Sequence, residues 1–362
     1  MKIVVVNTAA SSGGALSILK DFYNNIKSSD DDNKWIFILS DNYIEETKNI
    51  KVIVNKDIKR SWLNRLKWEF LDSKKFINNL EADIVFSMQN TIGRGINGKK
   101  IIYLHQSIPF QDTKRFSLLK REERIFAIYQ YVIGALIKQS LKRVDRVIVQ
   151  SEWMKKAVEN KVNIKPNKVY VVPPTVNITY RDLEELSINN KKFFYPASSA
   201  IYKNHKCAIE AINKLIKEGF KDFEVEFTLN DEYYNILEIT PEMKGIVKLS
   251  GSLSREEVFK RYKKSVLIFP SYIETFGLPI LESRNLGGLI LASECDFSKE
   301  ILDKYENKYY FNPFDSDELA NLMKKVLTQE INFIPNKSTH YEFRKNGWDD
   351  VIKVICSLKE GV

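Results

Sequence analysis

Leu267-Ile268-Phe269-Pro270-Ser271-Tyr272-Ile273-Glu274-Thr275-Phe276-Gly277-Leu278-Pro279-Ile280-Leu281-Glu282-Ser283 reads in turn as a strand, a loop and a helix. The apolar run ending at Phe269 predicts a buried strand, and the segment after Pro270 predicts a loop carrying Glu274. Gly277 lets the backbone approach a ligand closely. Pro279 fits the first turn of a helix, where its missing N–H costs little. Amides from Phe276 to Ile280 are then expected to be free, forming an anion site at the helix N-terminus. Glu282 lies about one turn into that helix, its side chain tilted back toward the same end. Two carboxylates beside such a backbone suit a ligand with both phosphates and hydroxyls, since carboxylates accept hydrogen bonds from hydroxyls. Spacing alone would favour a plainer alternative, one capping acid and one surface acid.

The same unit recurs along the chain. Strand candidates are Ile3–Val6, Trp35–Leu39, Ile84–Ser87, Ile101–Leu104, Arg146–Val149 and Val169–Val172. They resume at Lys192–Tyr195, Val225–Thr228, Val247–Leu249, Leu267–Phe269, Leu289–Ala292 and Tyr309–Phe311. Helices such as Ala15–Ile26, Lys203–Lys217, Glu256–Lys264 and Asp317–Leu327 fall between them. Short, unalternating strands separated by helices predict parallel sheets covered on both faces, an α/β fold. The break lies at Pro173-Pro174 and the polar stretch Asn177–Asn190. Two doubly wound, Rossmann-like domains facing across a cleft follow, spanning residues 1–176 and 190–340. The last helical stretch, Tyr341–Lys359, is long enough for residues 341–362 to pack back on the first domain.

Composition removes several classes. A chain of 362 residues, 44% hydrophobic and 28% charged, is long enough for two globular domains and is neither disordered nor fibrous. Three widely spaced cysteines, Cys207, Cys295 and Cys356, suit a reducing compartment rather than a disulfide framework. The histidines His105, His205 and His340 form no pair at zinc-ligand spacing. Met1–Asn7 is too short for a signal peptide. The longest apolar run, Ile125–Ile137, is too short to span a bilayer, so no membrane crossing is expected. The net charge of +9 is uneven: residues 1–180 carry 30 Lys/Arg against 18 Asp/Glu, and residues 181–362 carry 26 against 29. The basic half is expected to face something anionic.

The Glu274–Glu282 segment resembles the Glu-(seven residues)-Glu motif of glycosyltransferase family 4, whose architecture is the two-domain GT-B fold. The resemblance implies that Glu274 lies against the donor sugar and that Glu282 binds the ribose hydroxyls. Thr275, Phe276, Gly277 and Leu278 would supply backbone contacts to sugar and phosphate. Tyr195–His205 occupies the place of the family's Gly-Arg-Leu…Lys-Gly segment, and Lys203 matches its diphosphate-binding lysine. The family arginine is Ser198 in this sequence, which shifts diphosphate neutralisation toward Lys203 and the helix N-terminus. Ser250-Gly251-Ser252-Leu253 resembles the base-binding loop, with Leu253 against the donor. Ala292-Ser293-Glu294 and Asn312-Pro313-Phe314-Asp315 match the usual tail of the family. His205 is open to two readings, a phosphate contact or, favoured by its place beside Asn204, a cap or solvent-facing residue.

In the first domain, Ser11-Ser12-Gly13-Gly14 follows the first strand, and Gly13 and Gly14 agree with the family's phosphate-cradling loop. His105 ends the strand Ile101–Leu104, where the family places a catalytic histidine near the sugar ring. The basic surplus gathers in Lys59, Arg60, Trp62, Arg65, Lys67 and Trp68, and again in Lys114, Arg115, Lys120, Arg121 and Arg124 before the Ile125–Ile137 run. Basic residues interleaved with Trp and Phe suit a helix lying on an anionic leaflet. Core helices with solvated faces fit the periodicity equally well, and no nucleic-acid module is recognisable.

The resemblance implies an enzyme, a retaining hexosyltransferase, with His105, Lys203 and Glu274 at the catalytic centre and a nucleotide sugar as donor. It implies no cofactor and no metal; Asp315-Ser316-Asp317 reads as a helix cap rather than a metal motif. The expected acceptor is a lipid-linked saccharide for a capsule or O-antigen, reached from the cytoplasmic face of the plasma membrane. A sugar-nucleotide epimerase, a sugar phosphorylase and a catalytically silent partner subunit are the alternatives within the same fold.

Overall fold

Each apolar run read above as a strand is a strand in the computed structural model, and every pairing is parallel. The structure describes residues 1–10, 13–29, 32–61, 64, 67–176, 186–331, 333–334 and 347–358. The chain divides into two units, Met1–Pro174 with Arg344–Val362, and Thr175–Phe343.

The first unit runs β1 (Lys2–Asn7), α1 (Gly13–Ser28), β2 (Lys34–Leu39), β3 (Ile50–Val54), α2 (Ser73–Asn78), β4 (Ile84–Ser87) and β5 (Lys99–Tyr103). It continues with α3 (Arg124–Ile128), α4 (Gly134–Leu141), β6 (Arg146–Val149), α5 (Glu152–Val162) and β7 (Val169–Val171). A π-helical turn, Tyr129–Ile133, joins α3 to α4, and another, Trp68–Asp72, leads into α2. The strand order is β3-β2-β1-β4-β5-β6-β7. Strand β1 shows why both faces are covered. Ile3 and Val5 belong to one core cluster with Phe22 and Trp35, whereas Val4 and Val6 belong to a second with Ile137 and Met154. Side chains alternate across a strand, so a run of consecutive apolar residues needs helices on both sides.

The second unit runs β8 (Lys192–Tyr195), α6 (His205–Lys217), β9 (Glu224–Phe227), α7 (Tyr233–Ile236), β10 (Val247–Leu249), α8 (Arg255–Tyr262) and β11 (Val266–Phe269). Then follow α9 (Leu278–Asn285), β12 (Ile290–Ser293), α10 (Asp296–Ile301), β13 (Lys308–Phe311) and α11 (Ser316–Leu327). Its strand order, β10-β9-β8-β11-β12-β13, reverses direction between β8 and β11. In the first sheet the same reversal falls between β1 and β4. Such switch points leave a crevice at the carboxyl ends of the strands.

The last helix, α12 (Gly347–Cys356), belongs to the first unit. The predicted stretch Tyr341–Lys359 is described only from Gly347 to Leu358; its remaining residues lie outside the described ones. Trp348 packs on Phe22 at 5.1 Å and on Tyr103 at 5.6 Å between ring centroids. Asn25 Nδ2 donates to Asp349 Oδ1 at 3.1 Å, and Arg146 Nη1 donates to the Val354 carbonyl at 2.5 Å. Aromatic packing of this kind stabilises by about 0.5–1.5 kcal/mol per pair beyond area burial.

Candidate active site

The switch point of the second sheet brings together two loops distant in sequence. Strand β8 lies directly beside β11, with Phe194 opposite Leu267. The loop after β8 ends in a 3-10 turn, Ile201–Lys203, and the loop after β11 carries Glu274. Lys203 Nζ meets Glu274 Oε1 at 2.5 Å, and both side chains are largely buried. The backbone fixes this meeting from both sides. Tyr195 hydroxyl donates to the Lys203 carbonyl at 2.8 Å, and the Tyr272 amide donates to the Tyr202 carbonyl at 3.0 Å. Asn204 takes a left-handed conformation, φ 61°, and its Nδ2 donates to the carbonyls of Pro270 and Pro313 at 3.1 and 2.6 Å. A short polar side chain tolerates that conformation, so Asn204 staples three loops behind Lys203. The fully buried Ser271 places its Oγ 2.7 Å from Glu274 Oε1. Glu274 Oε2 keeps no described partner, and Lys203 has N–H donors left over.

Three residues after Glu274, Gly277 turns the chain into α9 with φ 101°. A Cβ there would meet Phe297 and Ile301 at ordinary contact distance. Its backbone angle alone therefore demands a glycine at this position. The expected span of free amides, Phe276 to Ile280, is shorter. Pro279 has no N–H, and the Ile280 amide donates to the Gly277 carbonyl at 3.0 Å. Phe276, Gly277 and Leu278 retain amides with no described acceptor, at the positive end of the helix.

Glu282, one turn into α9, is half-buried, and Tyr262 hydroxyl donates to its Oε2 at 3.0 Å. Burial raises its carboxyl pKa above the usual range, opposed by the Tyr262 bond and by the charge of Arg255. Helix α8, which ends in Tyr262, starts at a capping box between Ser254 and Glu257. That start follows the Ser250–Leu253 loop, where Gly251 is left-handed and its amide donates to the Leu229 carbonyl. Leu253 is partly exposed there, and Ser198 is exposed after β8.

Of two further residues singled out in the sequence, His205 departs from expectation and Asp315 meets it. His205 is buried, 5.0 Å from the Tyr195 ring and 5.4 Å from Phe227, with Nε2 unpartnered. It is neither a cap nor solvent-facing; burial lowers its pKa to about 3. Asp315 caps α11, its Oδ1 accepting from the amides of Asp317 and Glu318 at 2.9 and 3.2 Å. Asp317 pairs with Lys214 at 2.7 Å.

In the first unit, Gly13 and Gly14 open α1, while Ser11 and Ser12 lie outside the described residues. His105 follows β5, its amide donating to Asn90 Oδ1 at 2.7 Å and its Nε2 lying 3.1 Å from the Met88 carbonyl. A carbonyl only accepts, so Nε2 carries the proton and the buried Nδ1 is an unpartnered acceptor. Burial lowers the His105 pKa to about 4, leaving the ring neutral at pH 7.

The two basic segments separate. Trp68 is 5% exposed and packs on Phe76 at 5.4 Å, so it is a core residue and not part of a membrane face. An indole on the inner side of an amphipathic turn is worth more buried than exposed. Arg60 pairs with Asp57 and Lys67 with Asp72, while Trp62 and Arg65 lie outside the described residues. The second segment is a surface. Leu118, Leu119, Ile125 and Val132 are 52%, 91%, 58% and 57% exposed, beside exposed Lys120, Arg121 and Arg124. Among the described residues, no helix is long and apolar enough to cross a membrane.

Two parallel sheets, each with a switch point, define a doubly wound α/β architecture with ligand crevices at the strand ends, and the second sheet carries a lysine–glutamate pair and helix amides with no described acceptor there. Residues 180–347 match the family model described as glycosyl transferases group 1, and residues 38–180 match the one described as Glycosyltransferase Family 4. The chain belongs to the family 4 glycosyltransferases and has their GT-B fold. It is 23% identical over 220 residues to the O-antigen chain mannosyltransferase RfbU of Salmonella typhimurium, a match covering 58% of this chain and 59% of that protein. The chain thus spans about three fifths of the length of the curated relative it matches. Among solved structures it is similar to WaaG, a glycosyltransferase involved in lipopolysaccharide biosynthesis, with TM-score 0.68, 12% identity and coverage of 98% and 99% of the two chains. It is also similar to Alr3699/HepE of Anabaena, solved with UDP-glucose, with TM-score 0.64, 14% identity and complete coverage of both chains.

Proposed function

We propose that the chain is a retaining glycosyltransferase that moves a hexosyl-type residue from a nucleotide sugar to a lipid-linked saccharide in capsule, O-antigen or related polysaccharide synthesis. The observation that carries this reading is the Lys203–Glu274 pair, held next to the free amides of Phe276 to Leu278. The lysine and amides are assigned to the donor diphosphate, the free oxygen of Glu274 to the sugar, and Glu282 to the ribose. Gly13, Gly14, Leu253 and Thr275 complete the donor contacts. His105, neutral and with an unpartnered acceptor nitrogen, is assigned to a hydroxyl of the sugar. The name of the Salmonella relative and the UDP-glucose complex of the Anabaena structure support a sugar nucleotide and a surface polysaccharide.

In the proposed reaction the bond from the anomeric carbon to the diphosphate oxygen breaks, and the acceptor hydroxyl bonds to that carbon on the same face. The acceptor proton passes to the departing diphosphate, whose growing charge Lys203 and the helix amides stabilise. No protein base, cofactor or metal is assigned to this step. The exposed Leu118–Val132 surface with its basic neighbours supports a peripheral place on the anionic inner face of the plasma membrane, where a lipid-linked acceptor is reached.

Thermal shift against UDP-, GDP- and dTDP-sugars selects the donor, and NMR of the product's anomeric proton then reads the stereochemistry. Retention is the expected result. An inverted product would overturn the assigned mechanism, because inversion needs a base behind the acceptor.

A further inference from the structure

Each glutamate of the donor site is tied through one oxygen and keeps the other without a described partner. For Glu274 the tied oxygen meets Lys203 and Ser271. For Glu282 it meets Tyr262 alone, at 3.0 Å. The Tyr262 ring is buried against Phe194 and Phe259, with centroid distances of 5.7 and 5.9 Å. Its hydroxyl cannot wander, because two edge-on aromatic contacts and the end of α8 fix the ring.

We propose that Tyr262 is a positioning residue for the nucleoside end of the site: its hydroxyl holds Glu282 Oε2 and leaves Oε1 to accept from the ribose. This rests on the assignment of Glu282 to the ribose made above. The roles within the pair are one-way. Burial and the neighbouring carboxylate push the Tyr262 phenol well above its usual range, so it stays a donor. Glu282 must be ionised to accept from both Tyr262 and a ribose hydroxyl, and burial works against ionisation. Among the described residues, the titratable and charged groups acting on Glu282 are Tyr262 and Arg255, both on α8, and both favour the carboxylate. Helix α8 thus ties the Ser250–Leu253 loop, assigned to the base, to the glutamate assigned to the ribose. Eight residues of helix make that link roughly 12 Å long and stiff.

Tyr262→Phe removes the hydroxyl and keeps the ring in the core. UDP and GDP are titrated by calorimetry into wild type, Tyr262→Phe, Glu282→Gln and the double variant between pH 5 and 8.5. The proposal expects Tyr262→Phe to bind roughly tenfold more weakly at pH 7, with kcat at saturating donor little changed. Its acidic loss of binding should begin at higher pH, since the lost bond had favoured the ionised carboxylate. The double variant should bind no more weakly than Glu282→Gln. Unchanged affinity and pH profile in Tyr262→Phe, or weaker binding with an unshifted profile, would overturn the positioning role. If Glu282→Gln binds like wild type, the ribose assignment itself fails, and the proposal with it. Wild-type protein that binds none of UDP, GDP and dTDP, the last titrated alongside the other two, has the same consequence.

Discussion

The two switch points share a topology and differ in charge. In the second unit the loops after β8 and β11 bring an ammonium, two carboxylates and free helix amides to one sheet edge. In the first unit the described side-chain contact between the loops after β1 and β4 is neutral, with the exposed Arg94 further along the second loop. Thr8 donates from its amide and hydroxyl to Gln89 Oε1 at 3.1 and 2.9 Å, and the neighbouring His105 is neutral at pH 7. The strand order dictates where a ligand fits, while the loop residues dictate which one. A charged edge suits a diphosphate, and a neutral edge suits the hydroxyls of a sugar.

That contrast predicts unequal losses on substitution. Lys203→Ala should lower turnover at saturating donor by roughly 10²–10³, the range for removing one group that stabilises a developing oxyanion. His105→Ala should lose less, since a neutral ring contributes hydrogen bonding and no charge. Steady-state kinetics on both variants checks this. Equal losses would break the comparison, and an undiminished Lys203→Ala would require another cation at the diphosphate.

The second contrast lies within the first unit, between the two basic segments. With Trp68 in the core, the first segment keeps a single described exposed leucine, Leu71, near Lys67, whereas Leu118 and Leu119 project together next to Lys120 and Arg121. Leu118→Asp with Leu119→Asp should reduce flotation on phosphatidylglycerol-containing vesicles by tenfold or more, since each buried leucine contributes about 1.5–3 kcal/mol. Lys59, Arg60, Arg65 and Lys67 reversed to Glu should reduce it less and only at low salt. The opposite ranking, or equal flotation on neutral vesicles, would return the membrane face to the first segment or remove it.

These contrasts also mark what the sequence holds. Parallel strands are legible because runs such as Ile3–Val6 stay apolar without alternation, and only burial on both faces explains that. Strand β3 was not among the expected strands: it is a five-residue edge strand, Ile50-Lys51-Val52-Ile53-Val54, mostly part-exposed and preceded by a polar stretch. Glu274, Glu282 and Lys203 stand out through the family motif, yet their meeting depends on β8 pairing with β11 across about seventy residues of chain. Ser271 lies inside the decisive stretch and could have been suspected from its place beside Glu274. Tyr262 carries no signal, since only the packing of α8 on α9 brings it to Glu282. Helical periodicity shows that Trp68 and Ile125 lie on amphipathic turns, but not which face each neighbour covers. That is why one was misplaced.

A smaller effect separates the two histidines from the bulk of the titratable groups. His205 and His105 have their pKa values lowered to about 3 and about 4 by burial. The unfolded chain takes up protons on both near pH 6.5, and the folded protein does not. Stability is therefore full above that pH and falls as the pH drops toward 4, by up to about 1.4 kcal/mol per pH unit for each histidine. His205→Phe, which fills the niche between Tyr195 and Phe227 with another ring, should flatten part of that slope in urea melts. An unchanged slope would show that His205 is protonated in the folded protein.

The smallest expected effect is none. Chelation by EDTA should leave transfer activity unchanged, because Lys203 and the amides of Phe276 to Leu278 are assigned the charge that a divalent ion would otherwise meet. Asp315 and Asp317 are the natural objection, since their spacing imitates a metal motif. Asp315 is already committed, accepting from two amides at the start of α11, and Asp317 faces Lys214. A capping role tolerates asparagine, which caps about as well as aspartate, but not alanine, which costs about 1 kcal/mol. Asp315→Asn should therefore keep both activity and melting temperature, and Asp315→Ala should lose melting temperature while keeping activity. A ligand role predicts the reverse pattern, with activity lost in both variants. Loss of activity in EDTA with recovery in manganese or magnesium, together with an inactive Asp315→Asn, would move the charge at this site from the protein to an ion. The contrast between the two switch points would then have to be redrawn around that ion.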